Sequence, residues 1–320
     1  MSGLIERARK LKKTIVFPEG SDPRVAEAAA RLAREGIAKP VLIGPKPADA
    51  PEGVTYADPT NPQLLNKYAA IFHERRRAKG ITQMEALAIA KRPLYFANLM
   101  VSAGDADGSV GGAANSTAET VRSAIYCIGA DLRARLVSSL YVMALADRSL
   151  AHNGLIVFAD CSIVVEPTSV QLADIAIATA QSTRALLNVE PYVALLSFST
   201  KGSAKHPQVD RVVEAFRILQ ARAPDLKVDG ELQADSAVSD LVAKAKGVES
   251  PVAGRANTLI FPNLASGNIG YKLLERLGGA MAIGPFTQGL VKPANDLSRG
   301  TSAENIFNVA VVTALQSERP

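Results

Sequence analysis

Apolar and polar positions alternate along the chain in blocks that read as strand, helix, strand. Thr14–Phe17 is a short β-branched run that stops at Pro18-Glu19-Gly20, the mark of a buried strand followed by a turn. Ser21-Asp22-Pro23 then opens a helix, with a cap residue ahead of a proline. An Ala-rich body runs from Val25 to Arg34, and Gly36 ends it. Residues 40–44 form the next strand. This order predicts a parallel sheet with helices on its faces. A proline-rich loop follows around a brief strand at 54–56, then helices over 64–77 and Gln83–Ala90. The apolar stretch 94–104 reads as a buried helix, and the glycine-rich segment 105–113 as a turn leading to a helix capped by Ser116 or Thr117.

The second half repeats the alternation. Residues 136–143 are apolar, and 154–159 are a clean strand ending at Asp160-Cys161. Thr168-Ser169 caps a long helix to Leu187. Residues 193–198 form a buried strand before the polar, basic loop 199–205, whose composition suits an oxyanion or phosphate. A helix over 209–220 and strands at 228–233 and 258–261 follow. The segment 266–272 reads as a glycine-bracketed turn that leads Tyr271 and Lys272 into the first turn of a helix. Ligands of open α/β sheets sit outside the carboxyl ends of the strands, so loops 199–205, 229–233 and 263–272 are expected to face one cleft.

One polar stretch stands out, at 284–305. Asn295, Asp296, Ser298 and Arg299 crowd together ahead of Gly300. Thr301-Ser302-Ala303-Glu304 has the form of a capping box, with Thr301 as N-cap and Glu304 at N3. Ser298, Arg299 and Gly300 are thus expected just before a helix N-terminus. Backbone N–H groups and the helix dipole favour an anion there, and a guanidinium adds a planar fork for phosphate. An ordinary capped helix with a surface arginine has the same spacing.

Composition narrows the class. A chain of 320 residues allows about two domains at roughly 150 residues each. Hydrophobic residues make up 48% and charged residues 21%, with net charge +5. The basic residues form no stripe with interleaved aromatics, which argues against nucleic acid. Cys127 and Cys161 make neither a disulfide framework nor a zinc site, and His73, His152 and His206 are isolated, so no metal is expected. The basic N-terminal helix lacks the apolar core of a signal peptide, and no apolar run reaches the roughly 20 residues that span a bilayer. A cytoplasmic location is expected. Neither a dinucleotide fingerprint nor a Walker A loop is present.

Six motifs in order carry a family resemblance. FADC at 158–161, PTSVQLADIAIATA at 167–180, SFSTKGSAKHP at 197–207, DGELQ at 229–233, GNIGYK at 267–272 and NDLSRG at 295–300 resemble the phosphate acetyltransferase (phosphotransacetylase) family in its short form. The resemblance runs from Pro18 to the end. It implies reversible conversion of acetyl-CoA and phosphate to acetyl phosphate and CoA, in a ternary complex without a covalent acyl-enzyme. It also implies no permanently bound cofactor, CoA and acetyl-CoA as substrates, and a homodimer. The implied fold is two α/β domains of mostly parallel sheets flanked by helices, of the isocitrate/isopropylmalate dehydrogenase type, with the active cleft between them. Domain I is expected over 1–143 plus 287–320 and domain II over 144–286.

The resemblance makes Ser298, Arg299 and Asn305 the catalytic candidates. Arg299 fits a phosphate clamp, and Ser298 a donor to the attacked carbonyl or to the thiol. Thr117, Ser203, Asn268, Tyr271, Lys272 and Gly300 are candidates for phosphate and acyl contacts, and Arg75 and Arg133 for the phosphates of CoA. The family's proposed general base, an aspartate, falls on Asn305, and an amide takes up no proton near neutral pH. Readings left open are a phosphate butyryl- or propionyltransferase and a CoA- or acyl-phosphate-binding paralogue with weakened catalysis.

Overall fold

Strand and helix alternate along nearly the whole chain, and the contacts divide it into two units. One is Met1–Asp131 with Gly284–Pro320, the other Leu132–Ile283. The structure is a computed structural model that describes residues 1–318. The first unit begins with α1 (Ser2–Leu11), β1 (Thr14–Phe17), α2 (Pro23–Arg34), β2 (Lys39–Ile43) and β3 (Thr55–Ala57). Helices α3 (Pro62–Arg76), α4 (Gln83–Ala90) and α5 (Pro93–Ala103) follow, then β4 (Gly108–Gly111) and α6 (Thr117–Cys127). The second unit runs through β5 (Ser138–Ala144), β6 (Leu155–Ala159), α7 (Ser169–Leu187), β7 (Val193–Leu196), α8 (Pro207–Arg222) and β8 (Val228–Leu232). It continues with α9 (Ala234–Val238), α10 (Asp240–Ala245), β9 (Thr258–Ile260) and α11 (Leu264–Arg276). Strand β10 (Met281–Gln288) leads back to the first unit, which ends with β11 (Ala294–Asp296) and α12 (Ala303–Gln316).

The first sheet has the order β11-β4-β1-β2-β3, and its pairings are parallel. Its centre is dry: Ile15, Val16 and Phe17 are fully buried, as expected for strands covered on both faces. Helix α12 is buried from Ile306 through Gln316, which its nearly continuous apolar sequence requires. Two of its buried polar side chains are tied to the neighbouring strand. Asn295 in β11 donates to Thr313 Oγ1 at 2.8 Å and to Gln316 Oε1 at 2.7 Å, which fixes strand against helix. The second sheet has the order β10-β5-β6-β9-β7-β8, mostly parallel, with β5 and β6 antiparallel. Among the described residues, no helix is long and apolar enough to cross a membrane.

Three features differ from the sequence expectations. The unit boundaries fall at 131/132 and 283/284, whereas 143/144 and 286/287 were expected. The first shifts because β5 pairs with β6 and so belongs to the second unit, and the second falls within β10. The glycine-rich segment 105–113, expected as a turn, contains the strand β4 (Gly108–Gly111). Glycine there answers to close packing, because a Cβ on Gly108 would lie 2.6 Å from Thr313 Cγ2 and one on Gly111 2.7 Å from Pro18 Cγ. Likewise 266–272 is the body of α11, so Tyr271 and Lys272 lie in its third turn. The helix is capped by Asn263, which accepts from Ser266 N at 3.0 Å. Gly267 lets α11 approach the loop after β6: a Cβ would meet Asp160 O at 2.5 Å and Cys161 Sγ at 3.1 Å.

Gly267→Ala is therefore expected to lose roughly 1–3 kcal/mol in denaturant unfolding, since backbone must move. Gly3→Ala in α1, where nothing lies within 4 Å, is expected to be neutral or to gain up to about 1 kcal/mol.

Candidate active site

Strand β1 lies between β2 and β4, so the chain leaves β1 toward one side of the sheet and returns on the other. Such a switch point opens a crevice at the carboxyl ends of the strands. Glu19, from the loop after β1, spans it. Its Oε1 accepts from Gly112 N at 2.8 Å and Asn115 Nδ2 at 2.7 Å, both in the loop after β4. Its Oε2 is buried without a partner. Helices α2, α6 and α12 each follow a parallel strand, so all three begin at this edge and turn their positive dipole ends toward it.

Arg24, in the first turn of α2, ties the edge together. Its Nε and Nη2 donate to Asp22 at 3.0 and 2.7 Å. Nη1 donates to the carbonyls of Arg299 at 2.9 Å and Thr301 at 3.0 Å, and Nη2 to that of Ala113 at 3.1 Å. The five donors of the guanidinium thus reach one carboxylate and three loop carbonyls. Asp22 caps α2 as well, accepting from Arg24 N. The Arg24 hydrogen bond holds the Asp22 carboxyl below its ordinary range.

The NDLSRG motif sits in this frame. Ser298, Arg299 and Gly300 are exposed, whereas Asp296 and Leu297 before them and Thr301 after them are buried. The Ser298 hydroxyl and the Arg299 guanidinium have no hydrogen-bond or ion-pair partner among the described residues, while the backbone on either side is bound. Thr301 N donates to Ser298 O at 2.9 Å. The N-cap of α12 is Ser302, which accepts from Asn305 N at 3.2 Å, so the capping box expected from Thr301 and Glu304 is corrected by one residue. Arg24 claims the Thr301 carbonyl for the loop, which leaves Ser302 to cap. Glu304 instead pairs with Arg31 of α2, whose guanidinium lies 3.8 Å from the Phe307 ring centre. Asn305 Nδ2 donates to Thr301 Oγ1 at 3.0 Å and braces the same loop.

Asp296 closes β11 beneath this loop. It is 3% exposed, and its Oδ1 is without a partner. Burial pushes its carboxyl up to about 6, against hydrogen bonds from Thr117, Thr120 and Leu297 N that hold it down, with the charge of Glu19 adding to the push. Gly112, at a φ of +107°, leaves room for it: a Cβ there would strike Asp296 Oδ1 and come within 2.8 Å of Leu297 N.

The remaining candidates divide. Thr117, in the first turn of α6, joins the Asp296 cluster. Arg75 is exposed on the last turn of α3, with Nη1 close to Gly129. In the second unit, Ser203 is turned into its own loop, accepting from Thr200 N at 3.0 Å. Lys201 of that loop pairs with Asp229, so the phosphate cradle read from its composition is spent on internal bonds. Tyr271 is a core residue, stacked on Tyr141 with ring centres 4.3 Å apart. Asn268 donates to Cys161 O at 3.1 Å and so places the loop after β6. Lys272 and Arg133 are exposed. Cys127 and Cys161 are buried, and burial raises both thiols. Among the described residues, no group of three or more His, Cys, Asp or Glu is placed to hold a metal. Glu19 and Arg24 escaped the sequence reading because each acts on backbone far away in the chain. Asp296 was visible within NDLSRG but carried no sign of its burial.

Asp296 couples stability to pH. Its folded value lies above its unfolded one, so the stability it lends is complete below pH 4 and is lost as pH rises through about 6. That difference is worth about 3 kcal/mol. Unfolding of the wild type and of Asp296→Asn, followed from pH 4 to 8, is expected to show the variant gaining on the wild type by up to about that amount as pH rises.

The family model described as phosphate acetyl/butaryl transferase matches residues 1–314. A phosphate acetyltransferase of Acetivibrio thermocellus is 46% identical over 322 residues, covering 98% of this chain and 97% of that protein. One of Paracoccus denitrificans is 46% identical over 315 residues, 98% of each. The crystal structure of a phosphotransacetylase from Streptococcus pyogenes superposes with a TM-score of 0.91 at 43% identity, covering 99% of this chain and 97% of that one. With the fold matched over nearly its full length and the family model matched over 1–314, the chain belongs to the phosphate acetyl/butaryl transferase family.

Proposed function

We propose that the protein transfers acetyl groups between CoA and phosphate, converting acetyl-CoA and phosphate reversibly to acetyl phosphate and CoA. The observation that carries the reading is the Ser298-Arg299 pair, exposed and uncommitted on a loop whose backbone is held by Arg24. The guanidinium takes the phosphate as a bidentate fork. The hydroxyl donates to the acyl carbonyl as its oxygen gains charge in the tetrahedral transition state, or to the thiol. Helix N-termini at the same edge add positive potential for the anion.

Acetyl passes directly between thiol and phosphate in this scheme. Both cysteines are buried with their thiols raised, which makes them poor nucleophiles. Asn305 serves as a brace, since its amide donates to Thr301 and takes up no proton. Gly300 keeps the loop free of side-chain bulk at the phosphate. Arg75 remains the candidate for a CoA phosphate, exposed on α3. A reducing compartment such as the cytoplasm fits two free thiols.

The homodimer expected of the family has a candidate face on α11. Ile269, Leu273 and Leu277 recur every fourth residue there and are 58%, 53% and 82% exposed.

Arg299→Ala is expected to raise the phosphate KM and lower kcat, a loss of roughly 2–4 kcal/mol in kcat/KM, with the fold intact by circular dichroism. Near wild-type kinetics would place the arginine outside the site. The double variant Leu273→Glu, Leu277→Lys is expected to elute as a monomer in light scattering, and a dimer of unchanged mass would move the interface elsewhere.

A further inference from the structure

The transfer needs a place for one proton. In the direction of acetyl-CoA synthesis the CoA thiol must lose it before sulfur attacks, because the thiolate is the nucleophile. The groups nearest the exposed Ser298-Arg299 pair offer little. Asn305 is an amide, Glu304 is paired with Arg31, and Asp22 is held by Arg24. Glu19 commits Oε1 to Gly112 and Asn115. Asp296 is different. It lies two residues before Ser298, keeps Oδ1 without any partner, and has the hydroxyl of Thr117 beside it, in the partly exposed first turn of α6.

We propose that Asp296 is the proton store of the reaction and exchanges its proton with the sulfur of CoA through the Thr117 hydroxyl. This deepens the acetyl-transfer reading above and rests on it. The thiol proton passes to Thr117 Oγ as the hydroxyl's own proton passes to the Asp296 carboxylate. The C–S bond forms, and the C–O bond to phosphate breaks with the electron pair leaving on phosphate. The proton then returns by the same hydroxyl to the departing phosphate, so acetyl phosphate and CoA thiol give acetyl-CoA and monohydrogen phosphate. In the other direction the same steps protonate the leaving thiolate.

The surroundings support a proton-holding role. Glu19 is the charged group that acts on Asp296, from the loop after β1. Helix α6 presents Thr117 and Thr120, strand β4 and its loop bring Gly111 and Gly112 against it, and the carboxylate in the first turn of α12, Glu304, is already paired. Burial holds the carboxyl at about 6, high enough to keep a proton taken from the thiol and low enough to release it to the departing phosphate, which binds a proton far more strongly. Gly112 leaves room for the buried Oδ1, where any Cβ would collide with it.

The test is the pH dependence of kcat for acetyl-CoA formation from acetyl phosphate and CoA, between pH 5 and 9. It compares the wild type with Asp296→Asn, Thr117→Val and Thr117→Ser. The wild type and Thr117→Ser are expected to share an acidic limb with a midpoint near 6. Asp296→Asn and Thr117→Val are expected to lose that limb and about 10²–10⁴-fold of the plateau rate, as for a general base removed. If Asp296→Asn does not fold, Thr117→Val carries the comparison alone. Folded variants that keep the wild-type limb overturn the relay, whether their rate is unchanged or uniformly lowered. A wild type inactive in both directions overturns the acetyl-transfer reading instead.

Discussion

One guanidinium holds the candidate site in register. Arg24 reaches the carboxylate of Asp22 and the carbonyls of Ala113, Arg299 and Thr301, so three chain segments that are distant in sequence meet at one planar group. A lysine has three donors on a single point and could not span them. The geometry also explains how two polar side chains remain exposed on a loop whose backbone is held. The loop's backbone bonds are satisfied from below, by Arg24, by Asn305 through Thr301 and by the Ser302 cap, which leaves Ser298 and Arg299 without internal duties.

The same economy governs the layer beneath. Glu19 and Asp296 are carboxyls in a dry place, and each keeps one oxygen without a partner. Leaving buried acceptors unmet costs on the order of 1–3 kcal/mol apiece, so such groups persist where function asks for them. Gly112 lies between the two, giving its N–H to one and yielding space to the other. The asparagine beside this cluster has the opposite character. Asn295 is fully paired to Thr287, Thr313 and Gln316, and it holds β11 against α12. Adjacent residues of one short strand thus divide between structure and chemistry.

Much of the fold was legible from periodicity. The runs at 14–17, 40–44 and 193–198, and the capped helices after them, correspond to β1, β2, β7 and their neighbours because each is decided by local pattern. The failures share a cause. Gly108, Gly111 and Gly267 were read as turn formers, yet each lies in a regular element where another segment comes too close for a Cβ. Local chemistry cannot distinguish a glycine needed for φ from one needed for space. Within the site, Ser298 and Arg299 were evident from NDLSRG and its position before a helix. Tyr271 and Ser203 looked equally polar and loop-borne, but Tyr271 is buried on a stacked ring and the Ser203 hydroxyl is engaged within its own loop. Arg24 and Glu19 were invisible because their partners lie about 90 to 280 positions away in the chain.

The most direct measurement of the central claim is a crystal structure of the protein soaked with phosphate and CoA. The account expects the phosphate within hydrogen-bond distance of the Arg299 guanidinium and Ser298 Oγ, with the Arg24 contacts unchanged. A phosphate bound elsewhere, with Arg299 still facing solvent, would contradict it.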